Sequence, residues 1–206
     1  MKATLMPYLL HELFQTLQGE GRNTGRPCLF IRFSGCNLSC PWCDTDFSPK
    51  MTLTLEELLA RIESFSLKSI ILTGGEPLLQ AELELLVLAL KSRGYWIAIE
   101  TNGTIDPSPT LFRELDYIAT SPKLNAPLKL KRANEVRLVV TTECTAAWCE
   151  AVRANISAED YYLSPCDEHG VLHLRETIEL LGELNATAHN SPWRLSIQTH
   201  KLAGIP

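Results

Sequence analysis

The sequence lacks an excess of basic residues, since its 206 residues carry 19 Lys and Arg against 24 Asp and Glu, a formal charge of −5. Nucleic-acid binding uses such an excess to displace counterions, so the composition argues against a nucleic-acid partner. Long apolar runs are also missing: the longest, residues 83–90, contains Glu84 and is far shorter than the roughly 20 residues of a membrane span. Residues 1–10 show no secretory signal. We therefore expect a cytoplasmic protein without membrane contacts.

The chain also lacks linkers, internal repeats and low-complexity segments, so we expect one domain over residues 1–206. Apolar runs alternate with helical patterns, which predicts an α/β fold with parallel strands and right-handed crossovers. A complete eight-stranded barrel usually needs about 250 residues, so this length favours a partial (open) TIM-like barrel of about six parallel strands with abbreviated helices; a doubly wound sheet is the alternative. Strands are predicted at 29–33, 69–73, 95–99, 117–120, 136–140, 161–163 and 194–198, and helices at 55–64, 78–93, 146–155 and 174–185.

Polar motifs follow the predicted strands, at the end where both architectures place an active site. Both architectures therefore predict that the polar residues of the motifs fall immediately after strands. They occupy residues 34–43, 74–76, 100–104, 121–123 and 164–167.

Seven cysteines are unexpected in such a chain, and their odd number argues against a disulfide framework. Cys36, Cys40 and Cys43 form a CxxxCxxC loop, and thiolates suit zinc or iron and sulfur. A structural zinc site and an electron-transfer cluster both normally have four protein ligands. Three ligands on a four-iron cluster leave one iron open to a substrate. A structural zinc completed by Cys28, Cys166 or a histidine is the alternative interpretation.

The cysteine spacing, with Trp42 directly before Cys43, resembles the signature of the radical S-adenosylmethionine (radical SAM) superfamily. The resemblance implies a radical SAM core with a [4Fe-4S] cluster held by Cys36, Cys40 and Cys43, which are thus the catalytic residues. In that superfamily the open iron chelates S-adenosylmethionine, and the reduced cluster cleaves it to methionine and a 5′-deoxyadenosyl radical. The iron both orients the sulfonium and delivers the electron.

Contacts to S-adenosylmethionine are implied by the same resemblance. Glycines let backbone carbonyls approach a ligand, and carbonyls with a carboxylate suit an ammonium group, so the Gly75 and Glu76 turn is assigned to the amino group. Cys166 could equally be a small buried apolar residue. The implied cofactor contacts are Trp42, Cys43, Asp44, Gly75, Glu76, Ser121, Pro122, Lys123, Ser164, Pro165, Cys166 and Asp167.

Four features together resemble one subgroup of this superfamily: LQGEG at 17–21, Arg32, Asp44 with Thr45, and QTHK at 198–201 before a GIP at 204–206. The subgroup converts 6-carboxy-5,6,7,8-tetrahydropterin, with ring contraction and loss of ammonia, into a 7-deazapurine on the route to queuosine. The resemblance further implies a bound Mg²⁺, an electron donor such as flavodoxin or ferredoxin, and a homodimer. Substrate contacts are implied for Leu17, Gln18, Gly19, Arg32, Thr73 and Pro206, and a magnesium contact for Thr45.

The chemistry of these residue types fits the implied roles. A guanidinium at Arg32 can make a bidentate contact with a carboxylated pterin. Magnesium prefers oxygen ligands such as the Thr45 hydroxyl. If the predicted strand at 194–198 pins the tail, the carboxylate at Pro206 becomes a fixed anion able to accept hydrogen bonds from the pterin.

Two other functions remain open from the sequence. A glycyl-radical activase shares the cysteine spacing but acts on a protein, and a zinc or iron–sulfur binding module would have no catalytic activity. The motifs at 17–21, 44–45 and 201–206 favour a small pterin substrate. The roles of Cys28, Cys144, Cys149 and Cys166 are open, and a structural role is the simplest interpretation.

Overall fold

The computed structural model describes residues 6–168, 170–186 and 191–206, and the chain divides into two compact units. The first unit comprises the described residues of 6–17, Pro27–Thr101 and Pro107–Tyr117, and the second comprises Gln18–Arg26, Asn102–Asp106 and Ile118–Pro206. The described strands are β1 (Tyr8–Leu17), β2 (Pro27–Phe33), β3 (Met51–Leu53), β4 (Ser69–Gly74), β5 (Trp96–Thr101), β6 (Tyr117–Thr120), β7 (Glu135–Val140), β8 (Asp160–Pro165), β9 (Asp167–Glu168), β10 (Val171–Leu172) and β11 (Trp193–Leu195). The described α-helices are α1 (Leu55–Glu63), α2 (Leu83–Lys91), α3 (Pro109–Glu114), α4 (Ala146–Asn155), α5 (Leu174–Leu184) and α6 (Thr199–Ala203).

The first unit has strands in the order β3-β1-β2-β4-β5, with β2, β4 and β5 parallel and β1 antiparallel to both neighbours. Leu29, Ile31 and Phe33 alternate along β2 and are fully buried, so one face of this strand forms core. Helix α1 begins at a complete capping box, in which the Thr54 hydroxyl accepts the Glu57 amide and the Glu57 carboxylate accepts the Thr54 amide.

The second unit has parallel strands in the order β6-β7-β8-β11. Its apolar core joins β7 and β8 to α4 and α5, with Trp193 of β11 packed against the Tyr161 ring at 5.2 Å between centroids. The short hairpin of β9 and β10 follows β8 directly. None of the helices in the described ranges is long and apolar enough to cross a membrane.

Most predicted elements are present, and the α/β pattern with parallel strands is confirmed. The division into units leaves the single domain over residues 1–206 a prediction. Two local predictions are wrong. The helix over 78–93 is a 3-10 turn at Pro77–Leu79 followed by α2, and the strand over 194–198 ends at Leu195 and gives way to α6. Strands β1, β3, β9 and β10 and helices α3 and α6 were not predicted.

The polar motifs lie at the carboxyl ends of their strands, as expected. Cys36 and Gly75 follow β2 and β4, and Ser121 follows β6. Glu100 and Ser164 differ slightly, because each still belongs to the last residues of its strand. Within each unit the fold therefore gathers the motifs at the ends of neighbouring parallel strands.

Candidate active site

The cysteine loop lies in the first unit and is closed by backbone hydrogen bonds. It leaves β2, and the amide of Gly35 at its start donates to the carbonyl of Phe47 near its end, at 3.1 Å. Inside the loop the Cys43 amide donates to the Cys40 carbonyl at 3.1 Å. Cys43 is exposed, and Cys36 and Cys40 are partly exposed. All three thiols are therefore accessible for ligating an inorganic cluster.

The other four cysteines occupy different environments. Cys28, Cys149 and Cys166 are buried, and Cys149 belongs to the core of the second unit. Burial raises the pKa of Cys149 to about 12, with a smaller contribution from Cys144, so this thiol stays protonated at neutral pH. The Cys144 thiol lies 3.3 Å from the Val139 carbonyl. Metal ligation needs a thiolate, so Cys149 is a poor ligand.

No group of three or more His, Cys, Asp or Glu side chains converges on a point where one ion could bind, within the part of the chain that the structure describes. A zinc ion needs its donors about 2.0–2.3 Å from a single centre. Cysteines that each bind a different iron of a cluster have no such requirement.

The turn after β4 packs directly beneath the cysteine loop. A Cβ atom added to Gly75 would overlap the Gly35 carbonyl oxygen and lie 2.6 Å from the Cys36 Cβ. The Glu76 amide donates to the same Gly35 carbonyl at 3.0 Å. Only glycine at position 75 lets the two segments approach this closely.

Glu76 is a buried carboxylate with defined partners. It is 0% exposed, and the Thr101 hydroxyl lies 2.9 Å from both of its oxygens. The amide of Leu78 donates to Glu76 Oε1 at 3.0 Å. A carboxylate desolvated in this way and held by hydroxyl and amide donors is poised for a cation.

Two predicted substrate contacts, Arg32 and Thr73, are paired in register on β2 and β4. Each already has an acidic partner on the next strand outward. Arg32 Nε lies 2.6 Å from Glu12 Oε1 on β1, and the Thr73 hydroxyl donates to Glu100 Oε2 on β5 at 2.9 Å. Glu12 was not predicted to lie beside Arg32, because strand β1 was not predicted from the sequence.

The predicted magnesium residue, Thr45, directly follows the cysteines and is partly exposed. Its hydroxyl lies 3.3 Å from Asp44 Oδ1, which places two oxygen donors side by side. Backbone and side-chain hydrogen bonds from Ser48 lower the pKa of the neighbouring Asp46, so that carboxylate is ionised at neutral pH. Three oxygen-bearing side chains of the kind that magnesium prefers thus follow one another at 44–46.

The second unit holds the remaining predicted cofactor residues. Lys123 Nζ donates to the Ser121 hydroxyl at 2.6 Å, and Pro122 between them is buried. Ser164 is 5% exposed, and its hydroxyl oxygen has no hydrogen-bond partner among the described residues. Since an orphaned buried hydroxyl is costly, Ser164 fits a contact to a bound ligand. Pro165 and Cys166 are buried beside it, and Asp167 is exposed.

The predicted substrate segment at Gln18 and Gly19 also lies in the second unit, where Gly19 contacts Thr199 of α6. The amide and the hydroxyl of Thr199 both donate to the Gly19 carbonyl, at 3.0 and 2.9 Å. Leu17, the preceding residue, is 41% exposed. Pro206 is exposed and follows α6, which Gly204 ends in a left-handed conformation. No pattern in the sequence indicates the contact between Gly19 and Thr199.

A buried charge cluster contacts the loop Gln18–Arg26. Arg137 of β7, 5% exposed, pairs with Glu20 and lies 2.8 Å from Glu135. Glu135, 1% exposed, accepts the Arg22 amide at 2.8 Å and fills the space where a side chain at Gly21 would lie. Gly21 also has a positive φ of 65°. The loop conformation therefore depends on glycine at this position.

Comparison with known proteins agrees with this geometry. A family model described as the radical SAM superfamily matches residues 30–153, more than half of the chain. The parallel strands and the three-cysteine loop thus define a radical SAM protein.

The relatives narrow the class further. A 7-carboxy-7-deazaguanine synthase from Haemophilus influenzae is 48% identical over 94% of this chain and 92% of its own length. One from Neisseria meningitidis is 43% identical over 96% of this chain and 94% of its own. QueE from Escherichia coli, a crystal structure, matches with a TM-score of 0.71 and 29% identity over 93% of this chain and 94% of that chain. The chain therefore belongs to the 7-carboxy-7-deazaguanine synthase family of the radical SAM superfamily, and the predicted fold class is confirmed.

Proposed function

We propose that the protein is a carbon–nitrogen lyase that converts 6-carboxy-5,6,7,8-tetrahydropterin to 7-carboxy-7-deazaguanine in 7-deazapurine and queuosine biosynthesis. The ring contracts and one nitrogen leaves as ammonia, with no net oxidation. The observation that carries the proposal is the packing of Gly75 and Glu76 against the loop that bears Cys36, Cys40 and Cys43. Family membership supports the same reaction.

Three accessible thiols fit a [4Fe-4S] cluster with one open iron, because soft sulfur donors suit iron and three of them leave a coordination position vacant. When bound, the reduced cluster supplies the electron that cleaves S-adenosylmethionine. The residues around it bind and orient the reactants and exclude water. Trp42, next to Cys43, is partly buried and is proposed as a contact to S-adenosylmethionine.

Glu76 is proposed to hold the amino group of S-adenosylmethionine. Its carboxylate is fully buried, and the Thr101 hydroxyl fixes its orientation. A desolvated carboxylate attracts an ammonium more strongly than an exposed one. The Ser121–Lys123 and Ser164–Asp167 turns of the second unit are proposed as further contacts, and the orphaned Ser164 hydroxyl supports the latter.

Arg32 is proposed to bind the substrate carboxylate. Glu12 engages its Nε, which leaves the other guanidinium N–H groups to act as donors. Arg32 is the cation in a row that otherwise contains Glu12, Thr73 and Glu100, so it is the group in that row that an anion would bind. Leu17, Gln18, Gly19 and Pro206 are proposed as the remaining substrate contacts.

Thr45, beside Asp44, is proposed to ligate a magnesium ion that also meets the substrate carboxylate. The test is the metal dependence of turnover. Thr45→Val should raise the Mg²⁺ concentration needed for half-maximal rate, while Thr52→Val, at an exposed position on β3, should not. Equal metal dependence of the two variants would refute the role of Thr45.

Other properties are proposed from the family alone. An electron donor such as flavodoxin or ferredoxin reduces the cluster, and the protein is a cytoplasmic homodimer. Sedimentation of the reconstituted protein tests the dimer, since a monomer at micromolar concentration would contradict it.

Arg32→Met tests the proposed reaction at one residue. The variant should bind the cluster and S-adenosylmethionine normally but show a KM for the pterin raised about 10-fold or more, because a charge-assisted contact contributes roughly 1.5–3 kcal/mol. Arg113→Met is the matched control, since Arg113 lies exposed on α3 in a surface pair with Glu114. An unchanged KM in Arg32→Met would exclude Arg32 from substrate binding.

A further inference from the structure

We propose that Ser196 and Thr199 are positioning residues that hold the Gln18–Gly19 segment in place for the pterin. We call this pair of residues the C-terminal brace. The inference rests on the proposed function, because it concerns how the substrate segment is fixed. Both residues belong to the second unit, as does the loop Gln18–Arg26.

The brace contacts the loop at two points. Thr199 donates to the Gly19 carbonyl through its amide at 3.0 Å and through its hydroxyl at 2.9 Å. Ser196 accepts the Gly21 amide on its hydroxyl at 3.0 Å. Three hydrogen bonds thus fasten two loop residues, Gly19 and Gly21, to partners that lie 180 and 175 positions away along the chain.

The brace is itself anchored. Ser196 is 5% exposed, and its amide donates to the Leu163 carbonyl at 2.9 Å, which ties it to β8. Leu195, just before it, pairs with Leu163 in the parallel register of β11 and β8. A hydroxyl presented from a rigid strand end positions its partner better than one on a free tail.

Because Gly19 has no side chain, His200 of α6 can lie close to it. A Cβ atom built there would overlap His200 Nδ1 and lie 2.8 Å from His200 Cγ. The imidazole therefore occupies the space that any other residue at position 19 would fill. A side chain at position 19 would force the His200 imidazole to move, so glycine favours this close approach, although φ at Gly19 is not in the left-handed region.

The loop's own bonds do not fix these atoms. Gln18 is held within the loop, since its amide donates to the Arg26 carbonyl at 2.9 Å and its carbonyl accepts the Gly25 amide at 2.8 Å. The Gly19 carbonyl and the Gly21 amide point instead to the brace. Removing the brace should therefore leave the loop folded but let Gly19 shift, and small shifts of a binding group weaken substrate binding.

The first experiment compares Thr199→Val with Thr199→Ser and with Thr142→Val, a change at an exposed threonine of the same unit. Valine keeps the shape and the backbone bond but removes one hydroxyl hydrogen bond. We expect the KM for the pterin to rise about 3–10-fold in Thr199→Val, as one hydrogen bond predicts. The kcat, iron content, S-adenosylmethionine affinity and melting temperature should stay at wild-type values, and serine should restore KM.

The second experiment is a double-mutant cycle with Gly19→Ala. The new methyl group would meet the His200 imidazole, and we expect this contact to move the Gly19 carbonyl away from Thr199. Thr199→Val should then raise KM less than about 2-fold in that background. Multiplicative effects of the two substitutions on KM would overturn the inference, because Thr199 would then act elsewhere.

The two hypotheses fail in different ways. If the wild-type protein does not consume the pterin, the proposed function is wrong. If it does, and Thr199→Val or Ser196→Ala leaves KM at the wild-type value, the proposed function stands and the brace is refuted. A fall in kcat and melting temperature with KM unchanged also refutes it, since that result indicates a general structural role.

Discussion

Thr101 and Glu76 form a buried pair in which one hydroxyl lies 2.9 Å from both oxygens of the carboxylate. The two residues lie on β5 and at the turn after β4, so the parallel pairing of these strands sets their separation. Thr101 thereby fixes the direction in which Glu76 presents its charge. Thr101, which belongs to the polar motif at 100–104, would in this way control the cofactor contact proposed for Glu76.

Thr101→Val should weaken S-adenosylmethionine binding. The substitution keeps the buried volume and removes the donor, so we expect the Kd to rise about 3–10-fold, the effect of one hydrogen bond. Equilibrium binding to the anaerobic, reconstituted protein measures this. Thr110→Val, on α3, is the control and should bind like the wild type. Equal Kd values for Thr101→Val and the control would contradict a contact between Glu76 and S-adenosylmethionine.

Gly75→Ala should displace the cysteine loop. The new Cβ would overlap the Gly35 carbonyl oxygen, which belongs to backbone and has no low-energy way to move aside. Most of the iron should be lost after reconstitution, as measured by iron content and cluster absorbance.

Gly182→Ala is the matched control for that change. Position 182 lies in α5 and has no atom within 4 Å of a built Cβ, so alanine should raise the free energy of unfolding by about 0.5–1 kcal/mol with full iron content. Normal iron in Gly75→Ala would show that the turn does not pack beneath the loop.

Thiol labelling of the cluster-free protein should distinguish two classes of cysteine. Cys36, Cys40 and Cys43 should react quickly with iodoacetamide at pH 8, because they are exposed or partly exposed. Cys149 should not react until the protein unfolds, since burial raises its pKa to about 12 and leaves almost no thiolate. Peptide mass analysis against time gives the order. Modification of Cys149 at the rate of Cys43 would contradict the described burial.

The capping box of α1 makes stability depend on pH. Hydrogen bonds from the Thr54 amide and hydroxyl lower the pKa of Glu57, so its contribution is present above the unfolded pKa and is lost as pH falls through the folded pKa. Glu57→Gln should therefore destabilise the protein at pH 7 but not at pH 2–3. Urea unfolding at both pH values measures the difference, and Glu56→Gln, in the same helical turn, is the control.

Thr54→Ala tests the other half of the box. Loss of an N-cap hydroxyl should lower the free energy of unfolding by about 0.5–2 kcal/mol at pH 7. No change would mean that the hydrogen bonds to Glu57 do not contribute to stability.

The sequence predicted the central parallel strands better than the edges of the fold. Strand β4 is a short apolar run that contains two isoleucines and ends at a glycine. Short runs of this kind, with β-branched residues and a flanking glycine, are typical of buried strands. Strand β1 was missed because YLLHELFQTL is rich in Leu, Glu and Gln, which have good helix propensity; pairing with β2 overrides that local preference.

Two further differences have local causes. The helix predicted from residue 78 begins at Leu83 because Gln80 adopts an extended conformation after the turn capped by Glu76. The tail forms α6 rather than a longer strand, and Gly204, which ends that helix, is the signal that could have shown it. Contacts between distant segments, such as Gly19 with Thr199, follow from tertiary structure alone.

The most direct test of the account is turnover by the anaerobically reconstituted wild-type protein supplied with S-adenosylmethionine, Mg²⁺, a reductant and 6-carboxy-5,6,7,8-tetrahydropterin. Mass spectrometry and an ammonia assay should detect 7-carboxy-7-deazaguanine and ammonia in equal amounts. A protein that binds zinc without iron, or one that cleaves S-adenosylmethionine but leaves the pterin unchanged, would contradict the proposed function.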